Sequence, residues 1–166
     1  MLSLDGWGDI AQFVIAGSGF VALIGAGAQL SLSRANARRS RVYEYADRFN
    51  TPEMLRRTAD YREYWDTHNF EHFMSLDLAE QLERLLLPNL VEEVALLYNR
   101  KLLDREVASE LLGVYVERLW EVSRPLVDSV RLAEKRPTIY SEWEQMQRDT
   151  PTRRARMIDR NKQRLP

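Results

Sequence analysis

From Ile10 to Ser33 the chain reads IAQFVIAGSGFVALIGAGAQLSLS, about two dozen residues without a charged side chain. As an α-helix this stretch reaches about 36 Å, enough to cross a hydrocarbon layer of about 30 Å with some tilt. Ten of its residues are Ile, Phe, Val or Leu. At about −0.3 to −0.6 kcal/mol each they contribute roughly −3 to −6 kcal/mol to insertion, against which Gln12, Gln29 and the serines work. A helix buried in a soluble core is usually shorter and rarely runs so long uncharged. A cleaved leader is the other alternative, and Ala26-Gly27-Ala28 imitates a cleavage site. The opening MLSLDGWGD, however, has no Lys or Arg and carries Asp5 and Asp9 where a leader needs positive charge. The stretch reads as a membrane span over residues 10–33.

The flanks orient it. Asp5 and Asp9 precede the span, and Arg34, Arg38, Arg39 and Arg41 come after it. The positive-inside rule places the arginines and the rest of the chain in the cytoplasm, with residues 1–9 outside the inner membrane and Trp7 as an interfacial anchor. The chain has no cysteine, which accords with a reducing compartment. Within the span, Ser18, Ala22 and Ala26 recur every four residues with Gly25 beside them, a smooth face on which another membrane helix or a second copy can pack closely.

The residues beyond the span fit one compact domain. The expected architecture is all-α: the span continues into a basic stalk helix (34–50), then a small cytoplasmic helical bundle (51–150), then a basic tail (151–166). Charge is uneven. Residues 42–150 hold 14 basic and 22 acidic side chains, a net of −8, and residues 151–166 carry +5. Basic segments flanking an acidic body suit an anionic membrane surface, and Arg34, Arg38, Arg39 and Arg41 are the candidate lipid-headgroup contacts. The tail arginines could also bind nucleic-acid phosphates, but beside a membrane lipid is the nearer anion, and no nucleic-acid partner is expected.

Local signals mark the helices. Val42, Tyr45, Ala46 and Phe49 share one face of the stalk. Thr51-Pro52-Glu53 caps and opens the next helix. Thr67–Ser75 reads as a connector. Asp77 with Glu80 opens a helix in capping-box fashion, with Leu78, Leu82, Leu85 and Leu86 as its apolar stripe, and Pro88 is expected to kink or break it. Asp104 caps a helix whose seam runs Ala108, Leu112, Tyr115, Leu119, Val122, Leu126. Ser141 with Glu144 reads as a capping box, and Thr150-Pro151 as the start of a basic terminal segment. There is no strand pattern and no internal repeat.

Chemistry is sparsely signalled. The only two histidines lie in His68-Asn69-Phe70-Glu71-His72. On one helix such a string can hold zinc with the glutamate acting on a bound water, and a membrane-tethered hydrolase using His68, Glu71 and His72 is the catalytic alternative. In a polar connector without a third ligand an accidental match is the simpler reading, and no metal or cofactor is expected. There is no phosphate-binding glycine loop and no nucleophile elbow. Glu92 and Glu93 adjoin an apolar stripe and read as its solvated border.

The order of an N-terminal span, a basic stalk, RFNTPEMLRRTADYREYW, LPNLVEEVALLYNRKLLDREVASELLG and a Trp-containing helix ending in VDSVRL resembles the uncharacterised bacterial single-pass membrane proteins of the domain-of-unknown-function 4760 type. The likeness covers about Ala11 to Gln147. It implies a one-span, all-helical protein with Asn89, Glu92 and Glu93 near the core and a later helix bearing Trp120, and it implies no reaction. Lys101 stands where that pattern has glycine, which argues against a left-handed turn there. The sequence as a whole leads to a membrane-anchored interaction protein, an accessory or regulatory subunit without catalysis, with a self-associating regulatory homo-oligomer as the further alternative.

Overall fold

The computed structural model describes the backbone of residues 29–162 and the side chains of residues 29–158. Contacts divide the chain into Met1–Ala37 and Arg38–Pro166, and the second unit is the helical domain. Among the described residues every regular element is helical: α1 (residues 29–49), α2 (Pro52–Thr67), α3 (Phe70–Ser75), α4 (Leu78–Asn99), α5 (Arg105–Leu111), α6 (Gly113–Glu134) and α7 (Ser141–Lys162). The all-α class is therefore correct. Residues 10–28 of the expected span lie outside the described residues. Among those described, no helix is long and apolar enough to cross a membrane.

Side-chain caps set most helix starts. The Met54 amide donates to Thr51 Oγ1 at 3.2 Å, His72 to Asn69 Oδ1 at 3.0 Å, and Glu80 to Asp77 Oδ1 at 2.9 Å. Asp104 Oδ1 accepts from both Glu106 and Val107. Each such cap is worth about 1 kcal/mol. The Asn69 cap turns part of the expected connector into α3.

Two expected breaks are absent, and one appears where none was expected. Pro88 lies inside an uninterrupted α4. It is itself buried, on a face with Leu87, Leu90, Val91, Val94 and Tyr98, and that packing outweighs a local cost of about 3 kcal/mol. The seam from Ala108 to Leu126 keeps Ala108, Leu112, Leu119 and Leu126 buried, but the helix restarts after Leu112. Thr150-Pro151 opens nothing: α7 runs through it. The Thr150 hydroxyl donates to the Met146 carbonyl at 2.7 Å, one turn back in the same helix. Beyond it, Arg153 holds Asp149 at 2.5 Å and Arg154 reaches Glu117 on α6 at 3.0 Å.

The core lies where α7 packs against α4, α5 and α6. Trp143 is fully buried, its ring edge-on to Trp120 with centroids 5.4 Å apart. Tyr98, Phe49, Val91 and Val94 complete the centre.

Helix α4 ends in a left-handed turn despite the lysine. Lys101 has φ 59°. Its amide donates to Tyr98 O at 3.0 Å and the Leu102 amide to Leu97 O at 2.9 Å, the two bonds of a Schellman stop. The two satisfied carbonyls outweigh a steric cost of about 1 kcal/mol for a residue bearing Cβ. Lys101→Gly should therefore raise stability by up to about 1 kcal/mol, a gain in melting temperature of a few degrees; a lower melting temperature would rule out this account of the turn.

Candidate interaction surface

The polar motif residues of α4 belong to the scaffold. Asn89 Oδ1 accepts from the Tyr140 hydroxyl at 2.9 Å. The Glu92 carboxylate accepts the backbone amides of Glu142 at 3.3 Å and Trp143 at 2.7 Å. It thus caps the first turn of α7 in place of the expected Ser141–Glu144 box, since Ser141 is already inside the helix. Glu93 accepts from the Tyr45 hydroxyl of α1 at 2.6 Å, and Asn99 Nδ2 donates to the Glu142 carbonyl and carboxylate. Glu92, half-buried, is not a solvated border; Glu93 is exposed at the edge of the stripe as expected, and holds Tyr45 from there. Burial together with the Glu93 carboxylate pushes Tyr45 up to about 12, and burial together with Glu92 does the same for Tyr140.

Glu92 itself is raised above the ordinary glutamate range, because burial of the charge outweighs the two amides that favour it. A carboxyl whose folded value is raised contributes stability below its unfolded value and loses it as pH climbs through the folded one. Glu92→Gln keeps an acceptor oxygen without the charge. Its melting temperature relative to the wild type should rise as pH increases upward from 4.5, the ordinary glutamate value. A difference that does not change with pH would remove this reading of Glu92.

The histidine string does not lie on one helix. His68 sits in extended backbone at the end of α2, and Glu71 and His72 belong to α3. The two imidazoles lie against each other, ring centroids 4.1 Å apart. His68 is stacked on Tyr64 at 4.7 Å, and His72 Nδ1 shares a hydrogen bond with the Tyr64 hydroxyl at 3.0 Å. Among the described residues no group of three His, Asp or Glu is arranged to hold a metal ion.

Of the candidate membrane contacts, Ser18, Ala22, Gly25 and Ala26 lie outside the described residues. Arg34, Arg38, Arg39 and Arg41 are exposed on α1, but Arg39 is turned to Asp104 at 2.8 Å. Burial alone would raise Asp104; Arg39 and the amides it caps hold it below the ordinary aspartate value instead.

The leucine stripe at the start of α4 departs most from expectation. Leu78, Leu82 and Leu86 are 69, 55 and 55 % exposed, and Leu85 is half-buried. The core takes Leu87, Leu90, Val91 and Val94 instead. The sequence holds the warning, because the two sets together encircle the helix and only one can face a single core. Beside this ridge, between α2 and α4, lies an open groove of about 470 Å³. Met54, Leu86, Leu87, Leu90 and Tyr61 form its apolar surface, and Arg48, Arg57, Arg84, Glu53, Asp60 and Glu83 its rim. Arg57 bridges Glu53 at 3.1 Å and Glu83 at 3.5 Å. Arg84 lies over the Tyr64 ring, 4.4 Å from its centroid. With charges of both signs in equal number, the groove suits apolar side chains framed by polar ones rather than a highly charged ligand.

The chain matches the family described as domain of unknown function (DUF4760) over residues 12–150. The protein is a member of the DUF4760 family. The DUF4760 match takes in the ridge, the groove and the α4 residues that hold α1 and α7, and it reaches the buried Thr150 of α7. The residues that made the family recognisable, Asn89, Glu92, Glu93 and Trp120, are thus packing and capping groups of this DUF4760 chain. No curated protein and no solved structure matches it.

Proposed function

We propose that this protein is a membrane-tethered helical interaction protein, an accessory or regulatory subunit of a membrane complex with no catalysis of its own. The observation that carries this reading is the outward leucine ridge of α4 beside the groove between α2 and α4. Contiguous apolar surface with a polar border is what protein contact uses, and a groove of this make accepts an apolar helix face. The tether is the uncharged stretch Ile10–Ser33. The arginines just after it put the helical domain in the cytoplasm and the N-terminus outside the inner membrane. Arg34, Arg38 and Arg41 stand at lipid headgroup level, and Ser18, Ala22, Gly25 and Ala26 offer a packing face inside the bilayer.

The test is the native mass of the full-length protein, extracted from its own membranes in mild detergent. The protein should sediment with the membranes, require detergent for release, and run together with a stoichiometric foreign subunit, whereas a bare homo-oligomer would favour the self-associating alternative. Release into the soluble fraction without detergent overturns the tether. A bare monomer in detergent overturns the role as a subunit.

A further inference from the structure

We propose that the outer face of α4's first half pairs with the same face of a second copy of this chain. The inference rests on the tether proposed above. Over residues 82–87 the helix carries leucines on opposite faces, with Glu83 and Arg84 between them: Leu87 points to the core while Leu82 and Leu86 stand more than half exposed. An α-helix of that kind is covered in its working state. Leu78, Leu82 and Leu85 are spaced by four and then three residues, the stepping of a two-helix seam.

Charge chooses the occupant. The positions flanking the seam are Ala79, Gln81 and Leu86, all uncharged. The Gln81 side chain is already turned back onto the Leu76 carbonyl at 2.9 Å. Two copies can therefore meet without setting like charges against each other. The stretch from Asp77 to Glu83 carries no Lys or Arg to draw these leucines onto an anionic bilayer. A basic helix would want acids beside the seam, and the nearest, Glu83, is held by Arg57.

Size sets the conditions. A few leucines fall well short of the roughly 800 Å² per partner of a free-standing interface. The pair therefore forms where a shared membrane raises the local concentration, and not in dilute solution. A two-fold pair brings the middle of the seam against itself, so Leu82 meets Leu82.

Because the chain has no cysteine, Leu82→Cys supplies a single thiol at an exposed site where folding is not at risk. Full-length protein carrying it, in its native membranes, is treated with a mild oxidant beside an Arg124→Cys control on the exposed face of α6. Disulfide-linked dimer should exceed the control by about tenfold or more, and should fall to the control level when Leu78→Glu is added. Membrane-bound Leu82→Cys protein that crosslinks no more than the control overturns the pairing and leaves the tether standing. A disulfide to a foreign protein overturns self-pairing in favour of a heterologous partner. Protein found in the soluble fraction overturns the tether and this inference together.

Discussion

Replacing Trp143 with alanine should cost about 3–5 kcal/mol, a large part of the 5–15 kcal/mol that holds a domain of this size together. The indole is fully buried. Its Nε1 donates to the Val116 carbonyl at 3.1 Å, and its ring meets Trp120 and Tyr140 edge-on at 5.4 and 6.2 Å. Alanine removes the ring from the place where α4, α6 and α7 converge, and the cavity has too many anchored walls to collapse. Thermal unfolding of the full-length protein, monitored by circular dichroism, should show a melting temperature lower by about 10 °C or more. Trp143→Phe should lose roughly 1–2 kcal/mol, because it keeps most of the volume and gives up the hydrogen bond. An alanine variant melting within a degree or two of the wild type would mean that the core is centred elsewhere.

Gly113→Ala should cost about 1–3 kcal/mol by overpacking. A Cβ at Gly113 would stand 2.4 Å from Thr150 Cγ2 and 3.1 Å from Arg154 Cδ. Thr150 cannot swing away, because it is fully buried and its hydroxyl is bonded to Met146. Here glycine serves the close approach of α6 to α7, not backbone freedom. Thr150→Ser removes the offending methyl and keeps the hydroxyl. In the Thr150→Ser background Gly113→Ala should become nearly neutral, a coupling of about 1 kcal/mol or more between the two sites. Equal costs in both backgrounds would show that the helices do not touch through this methyl.

The two contacts also show why the fold is only partly legible in the chain. Caps are local: Thr51, Asp77 and Asp104 announce themselves within three residues of the amides they hold, and those starts are readable. The glycine at the head of α6 answers to a threonine in α7, and no window of sequence joins the two. Pro88 and Pro151 signal a local cost, whereas burial of Pro88 and the bridge from Arg154 to Glu117 on α6 decide the outcome over longer distances. Lys101 signals a steric penalty, and the two carbonyls it lets the chain satisfy lie in the preceding turn. The interaction surface is legible in content and not in direction. Leu78, Leu82 and Leu86 are visible as a stripe, but a stripe does not say which way it faces until the competing set from Leu87 to Val94 has claimed the core. Glu92 shows the reverse error: a carboxylate beside an apolar stripe looks like surface until the helix that needs it is in place.

The adjacent carboxylates Glu92 and Glu93 also have a consequence for the order in which the chain is made. Glu93 can meet Tyr45 as soon as α4 exists, since α1 has been synthesised before it. Glu92 waits for the amides of Glu142 and Trp143, some fifty residues downstream. While the ribosome is still adding α5 and α6, Glu92 is hydrated and the row of Leu90, Val91 and Val94 lacks its cover from α6 and α7. Domains tend to fold as units once their last long-range contacts can form. For this chain that moment comes when α7 emerges and its first turn closes over Glu92. The growing protein is therefore most exposed to wrong partners in the interval between the synthesis of α4 and that of α7.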